Sequence, residues 1–409
     1  MQVPHWSEWT PQQKSVVVAS VLGWTLDAFD YFLFVFVLGD IAHDFGAPIT
    51  RVTLAITLTL ALRPLGAFCF GRAADRYGRR PTLMFDVLAY SLLEFASGFA
   101  PSLGALLLLR ALFGIAMGGE WGIGASLTLE SVPEKSRGIV SGVLQAGYPL
   151  GYLLASIAYA VVFPLVGWRG LFMLGALPAL LVLHIRRRVP ESPAWQPKQR
   201  VTGGARAWFA RHWRRALYAV LLMASFNFFS HGTQDLYPTF LRVQRQLSPH
   251  EVGAIAIVYN VGAMLGGIVC GTLSERFGRR RMIICAALLA LPLLPLWVLA
   301  VQPLWIAVGA FGMQFMVQGA WGVIPAHLNE LSPDDARGTF PGFVYQLGNL
   351  LAAGNATLQA ALAAHYHDNY ALALGLVAGS VALLIAMLAG LGAEAKGVQF
   401  GTGQSLRST

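Results

Sequence analysis

The ten residues Gly71-Arg72-Ala73-Ala74-Asp75-Arg76-Tyr77-Gly78-Arg79-Arg80 return as Gly271-Thr272-Leu273-Ser274-Glu275-Arg276-Phe277-Gly278-Arg279-Arg280, at an offset of 200 positions. Five identities and one acid-for-acid exchange survive the interval. The same offset relates Gly119, Trp121 and Gly122 to Gly319, Trp321 and Gly322. It also relates Glu130, Pro133, Arg137, Gly138 and Gly142 to Glu330, Pro333, Arg337, Gly338 and Gly342. One fixed offset across separate stretches marks a chain built from two copies of one unit.

The unit is a membrane unit. Of the 409 residues, 56% are hydrophobic and 12% charged, against about 25% charged in a soluble domain. Mean hydropathy is +0.58. A net charge of +9 could suggest nucleic acid, but Lys and Arg sit in short loops between apolar runs, where they read as determinants of topology. Cys69, Cys270 and Cys285 lie in or beside apolar runs and read as small apolar residues, with no disulfide expected.

Twelve runs of about 20 residues, the length that spans a bilayer, fall near 15–39, 52–72, 81–100, 104–131, 138–163, 169–188, 214–241, 250–273, 282–300, 304–331, 338–362 and 370–392. The first run lacks a small-residue cleavage site and continues through Asp27 and Asp30, so it reads as a retained span rather than a signal peptide. The expected fold is all-α and integral to the membrane, with twelve transmembrane helices in two six-helix halves related by a pseudo-twofold. Residues 1–188 form the first half, 189–213 a basic cytoplasmic link, 214–395 the second half and 396–409 a cytoplasmic tail expected to be disordered. Arginines follow the second, sixth and eighth runs, whereas the loops after the third and ninth carry no Lys or Arg. By the positive-inside rule both termini are cytoplasmic, and the expected location is the plasma membrane, as a bacterial inner-membrane protein.

The seventh run is unlike the rest. In its middle stand Asn227, Ser230, His231, Thr233, Gln234, Asp235 and Thr239. On a helix, Asn227, Ser230, His231, Gln234 and Asp235 share an arc of about 140°. Ionisable groups at that depth are expensive and normally mark a substrate or proton pathway. The alternative is polar glue between helices, which seldom needs five residues on one face.

This pattern, N-x-x-S-H-x-T-Q-D-x-x-x-T, resembles the signature of proton-coupled lactate and pyruvate permeases, a branch of the sialate/monocarboxylate symporters of the major facilitator superfamily. The two parallel six-span repeats agree with that superfamily, whose substrate site lies between the halves near the midplane. The resemblance implies a transporter carrying a short monocarboxylate with a proton. Symport of a sialate or an aromatic acid is the nearest alternative, and a non-transporting sensor on the same fold a third. An enzyme is not expected, since no metal cluster, nucleophile–base pair or cofactor loop is visible. The expected partners are a small organic anion, a proton and the lipid bilayer; no cofactor or nucleic acid is expected, and the chain is expected to be monomeric.

The run from Gly71 to Arg80 resembles the superfamily's loop between the second and third helices, and Pro190-Glu191-Ser192-Pro193 another of its short motifs. A cytoplasmic gate is expected from Asp75, Arg76, Arg79, Glu130 and Arg137 with Glu275, Arg276, Arg279, Glu330 and Arg337, as ion pairs that close this face.

Mid-span charges number five acids (Asp27, Asp30, Glu94, Glu120 and Asp235) and two bases (Arg63 and Arg110). Two arginines cannot neutralise five carboxylates, and burial disfavours charge. The surplus suits proton coupling at Asp235, His231, Asp27, Asp30 and Glu120, although a watery vestibule would permit it equally. Glu120 could instead make a structural hydrogen bond, and Glu94 is expected to be structural. The offset sets Asp27 opposite Asn227, Asp30 opposite Ser230 and Tyr31 opposite His231, matching patches on the first and seventh helices.

For the anion, Arg63 is the first candidate ligand: its offset partner is Ala263, so the repeat does not demand it, and a guanidinium grips a carboxylate through two parallel bonds. The lactate permeases' second helix also carries an arginine implicated in substrate handling. Arg110 is the second candidate, unless it pairs with Glu94. Leu144-Gln145-Ala146-Gly147-Tyr148 and Val344-Tyr345-Gln346-Leu347-Gly348-Asn349 are two further stretches resembling the family. Asn227, His231, Tyr148, Tyr345 and Gln346 complete the expected substrate set, with helix packing as the alternative for the last two stretches.

Overall fold

The computed structural model describes residues 6–195 and 205–400. The expectations for residues 196–204 of the basic link and 401–409 of the tail lie outside the described residues. Every regular element among the described residues is a helix.

The first half contains α1 (Pro11–Phe36), α2 (Leu54–Tyr77), α3 (Arg79–Ser97), α4 (Leu103–Ser131), α5 (Arg137–Gln145 and Gly147–Val161) and α6 (Phe163–Leu174 and Pro178–Arg188). The second contains α7 (Ala205–Gln234, then Tyr237–Val243), α8 (Pro249–Phe277), α9 (Arg279–Ala290, then Leu294–Leu299), α10 (Pro303–Leu331), α11 (Phe340–Ala352, then Asn355–His365) and α12 (Tyr370–Leu391). Among the described residues, nine helical stretches are long and apolar enough to cross a membrane. The expected spans outside that set are α3, with Arg79, Arg80, Asp86 and Glu94, α7, with its basic start, and the interrupted α11.

Local chemistry sets the ends. Thr10 Oγ1 accepts the Gln13 amide at 3.2 Å while Gln13 Oε1 accepts the Thr10 amide at 3.0 Å, a reciprocal cap on α1. Ser248 and Glu251 repeat the device at α8, with Pro249 at its first position, where a missing N–H costs nothing. The sharp corners from α2 to α3 and from α8 to α9 turn on Gly78 (φ 110°) and Gly278 (φ 97°), a region closed to most side chains. Each corner is tied by a glutamate arriving from the end of its half. Glu191 accepts the Arg79 amide at 2.9 Å and Glu394 accepts the Arg279 amide at 3.1 Å.

The seventh span corrects one expectation. It is not a continuous helix from 214 to 241: α7 stops at Gln234, and Asp235-Leu236 interrupt it before Tyr237. Pro238 favours the break, because it has no N–H to donate to the Gln234 carbonyl and its ring crowds that oxygen; it sits instead in the first turn of the segment that follows, where the missing N–H costs nothing. Gln359 Nε2 donates to the Gly232 carbonyl at 2.7 Å, satisfying an oxygen the break would orphan.

On the arginine-rich face the halves interlock, α5 against α8 and α2 against α11. Gly122 of α4 also meets α11: a methyl added to it would lie 2.6 Å from the Gly342 Cα, so only glycine permits that approach. Toward the opposite face the contact between α5 and α8 thins out.

Candidate substrate site

A cavity of about 410 Å³ occupies the space between the halves. Its walls come from α1, α2, α5, α7, α8, α10 and α11, and it reaches from Trp24, midway along α1, to Val35 at the helix end remote from the arginine-rich turns. Three of the seven wall helices, α5, α7 and α11, are interrupted, as in transporters whose discontinuous helices line the site.

Asn227, Ser230, His231, Gln234 and Asp235 all face the cavity, as do Tyr148 and Tyr345. His231 Nδ1 lies 3.2 Å from Asp235 Oδ1 and its Nε2 3.3 Å from Asn349 Oδ1. With both ring nitrogens set against acceptors, the geometry suits an imidazolium beside a carboxylate, given this assignment of the Asn349 amide. The pair is not sealed between helices: the side chains are 35% and 36% exposed, so Asp235, at the helix break, reaches the cavity directly.

Other polar atoms of the signature are held by α10. Gln318 Nε2 donates to Ser230 Oγ at 3.1 Å, Gln314 Nε2 to Thr233 Oγ1 at 3.0 Å, and Gln234 Nε2 to Gln314 Oε1 at 2.9 Å. Part of the pattern is therefore helix glue. Gln314 and Gln318 were missed from sequence, and Asn349, the end of a family-like stretch, was given no role there. The signal was available for the first two, since the repeat offset sets these amides opposite Gly114 and Gly118 of α4.

Arg63 and Gln346 do not line the cavity. Both are buried. The Arg63 guanidinium lies 5.3 Å from the centre of the Tyr31 ring, with the Met117 sulfur beside it, so Tyr31 stands between this cation and the cavity. No carboxylate comes within 4 Å of Arg63 among the described residues, whereas Arg110 is committed to Glu94 at 2.5 Å and to Ser97 at 2.7 Å. Gln346 Oε1 has no hydrogen-bond partner among the described residues.

Asp27, Asp30 and Glu120 are buried in the first half, away from the cavity wall. Beside them is Asp86 on α3, fully buried and absent from the sequence count, although it lies inside the third apolar run. Asp27, Asp86 and Glu120 are within electrostatic reach of one another, so four acids share this interior with Arg63, which makes no ion pair among the described residues.

Aromatic rings form the floor. Trp24 stacks on Tyr148 (centroids 5.5 Å), Trp121 meets Tyr345 at 4.6 Å, and Trp321 meets Tyr345 at 5.7 Å. Trp121 and Trp321, from equivalent places in the repeat, both pack on Tyr345.

Below the floor the gate residues join, except two. Asp75 accepts from the Gly338 amide and from the Thr339 amide and hydroxyl, and Glu275 accepts from the Gly138 amide. Arg79 pairs with Glu130 at 3.2 Å and Arg279 with Glu330 at 2.9 Å within each half. Arg137 reaches Glu330 at 3.7 Å and Arg337 reaches Glu130 at 4.0 Å across the halves. Arg76 and Arg276 point outward and make no ion pair among the described residues. Residues 396–400 of the tail fold back onto this face: Phe400 lies 3.5 Å from Arg137 and 4.1 Å from Arg337, ring centre to guanidinium carbon. Cation–π attraction and the apolar neighbours Trp9, Val17 and Val140 hold it there, against the expected disorder.

The Major Facilitator Superfamily profile matches residues 21–248 and 221–404. This chain belongs to the major facilitator superfamily. A superfamily member is a transporter, not an enzyme, and the cavity between two interlocked halves is where such a protein holds its cargo. Among its relatives, a carboxylic acid transporter protein homolog of Saccharomyces cerevisiae is 28% identical over 93% of this chain and 68% of its own length. A probable 4-methylmuconolactone transporter of Cupriavidus pinatubonensis is 30% identical over 87% and 85%. The sialic acid transporter NanX of Escherichia coli is 26% identical over 94% and 96%. In fold, the superfamily's proton:xylose symporter XylE superposes with a TM-score of 0.77 at 17% identity, over 95% of this chain and 98% of XylE.

Proposed function

We propose that the chain carries an organic acid anion together with a proton, by alternating access between its two halves, and that a short monocarboxylate such as lactate or pyruvate is the cargo. The observation that carries this reading is the His231–Asp235–Asn349 arrangement on the cavity wall, with Arg63 waiting behind Tyr31. The relatives named for a carboxylic acid, 4-methylmuconolactone and sialic acid support an acid as cargo. The seventh-helix signature supports the monocarboxylate.

The residues supply each step. Tyr31 swings aside and Arg63 takes the carboxylate in two parallel hydrogen bonds. The anion competes with Asp235 for the His231 hydrogen bond, and a proton on Asp235 removes that competitor. Anion, guanidinium and bound proton then form a compensated set, which costs far less to bury than a bare charge. Only the fully loaded or the empty carrier rocks. Asp27, Asp30, Asp86 and Glu120 offer further proton sites. The arginine-rich face, with both termini, is assigned to the cytoplasm of a bacterial inner-membrane monomer, which makes the open side external.

A second reading is favoured by one feature. A cavity of about 410 Å³ with Trp24, Tyr31, Phe32, Tyr148, Tyr152, Tyr259, Trp321 and Tyr345 on its walls has room and ring surface for a cyclic acid. Uptake of labelled lactate into proteoliposomes under an imposed pH gradient, with a cyclic carboxylic acid as competitor, separates the two. Gradient-driven lactate uptake supports the first, and transport of the cyclic acid without lactate the second. Uptake of neither would remove this proposal.

A further inference from the structure

A second cavity, of about 450 Å³, lies outside the transport path on the arginine-rich face, at the corner between α8 and α9. Its lining holds four cations, Arg276, Arg280, Arg281 and Lys396, one carboxylate, Glu394, and the apolar Phe277 and Ile284. Charge there is not balanced. Glu394 accepts the backbone amides of Arg279 and Arg280 at 3.1 Å each. The Arg280 guanidinium donates to the last carbonyls of α12, at Ala389 and Gly390. Arg276, Arg281 and Lys396 remain, exposed and with no ion pair to an acid among the described residues.

The repeat serves as an internal control. The first-half corner has the same hinge glycine and the same capping glutamate, Glu191. It nevertheless has Pro81 where the second half has Arg281. Counting from the glutamates, it has Pro193 where the second half has Lys396. The corner is therefore built without either cation, and the second half adds two charges that its scaffold does not need.

We propose that this cavity binds the phosphate of an anionic phospholipid headgroup. The position favours a lipid over a soluble phosphate. Phe277 is 54% exposed, and Leu288 and Leu289 further along α9 are exposed too, so an apolar wall suited to acyl chains rises directly from the cationic pocket. Basic pockets at the cytoplasmic end of membrane helices take such headgroups. Arg276, outside the gate network, is the third phosphate ligand. The inference does not depend on which acid the transport cavity carries.

The test uses the full chain in detergent, titrated with phosphatidylglycerol and read by thermal stability, with phosphatidylcholine and glycerol 3-phosphate as the other arms. Phosphatidylglycerol should raise the melting temperature where phosphatidylcholine does not. The double variant Arg281→Gln/Lys396→Gln should melt normally in phosphatidylcholine yet bind phosphatidylglycerol about 30-fold more weakly, at roughly fivefold per cation. An equal response in the double variant overturns the site. Stabilisation by glycerol 3-phosphate matching that by phosphatidylglycerol overturns the lipid assignment.

Discussion

Asp75 of the first half accepts the Gly338 amide of the second at 2.7 Å, and its repeat partner Glu275 accepts the Gly138 amide at 2.5 Å. Each acid crosses to the backbone just beyond the other half's arginine, Arg337 or Arg137. The closed face is thus latched twice, by carboxylates on backbone donors, with arginine–glutamate pairs packed around them. A carboxylate on an N–H is a charge-assisted bond, about twice as strong as a neutral one.

Weakening one latch should shift the balance of states. Asp75→Asn loses the charge on three accepted bonds, each worth about 1.5–3 kcal/mol when charged. Cysteine accessibility measured from the arginine-rich side should rise severalfold, and Glu275→Gln should do the same. Unchanged accessibility in both would show that the bonds hold shape without gating.

Phe400 under two guanidinium groups makes a checkable strap. Phe400→Ala removes both cation–π contacts, about 0.5–2 kcal/mol apiece, while Phe400→Trp preserves them. The Ala variant should favour the state open on the arginine-rich side, seen as faster labelling of a cysteine placed at Ser141. Equal labelling in both variants would make Phe400 a passive packing group.

For the anion, Arg63→Lys keeps the charge but loses the planar fork, so affinity should fall although the substitution looks conservative. Arg63→Ala should lower affinity about 10- to 100-fold, the equivalent of one hydrogen bond to a charged group. Tyr31→Phe should bind nearly as the wild type does, because the ring rather than the hydroxyl screens Arg63. Calorimetric titration with lactate reads all three. Wild-type affinity in the Ala variant would end the role given to Arg63.

For the proton, Asp235→Asn mimics a permanently protonated acid. It should bind substrate without the pH dependence of the wild type between pH 5 and 8, and should exchange it without concentrating it. Wild-type uptake should rise as external pH falls, since the proton is a co-substrate. If the Asn variant still accumulates lactate against its gradient, coupling belongs to Asp27, Asp30, Asp86 or Glu120.

Much of this molecule was legible before folding. The offset of 200 gives two halves because copies of a sequence meet the same lipid solvent and adopt the same helices. The bilayer fixes span length, and corner glycines with arginines mark the turns. The polar stripe of α7 was readable because side chains on one helix keep fixed angular relations. Those are local or one-dimensional facts. Whether a buried charge faces the cavity depends on helix rotation and on which neighbour covers it, as with Arg63 behind Tyr31, Asp86 beside Glu120 and Gln346 turned from the wall. Asp235 became a cavity residue through the break before Pro238, which holds because Gln359, from another helix, satisfies the Gly232 carbonyl. Phe400 found its place only once Arg137 and Arg337, 200 positions apart in sequence, had been brought together. The sequence determined the repeat, the spans and the polar face, since each follows from neighbours along the chain. The tertiary structure alone decided which charges meet substrate and which meet each other, because burial and charge balance are set by contacts between helices distant in sequence.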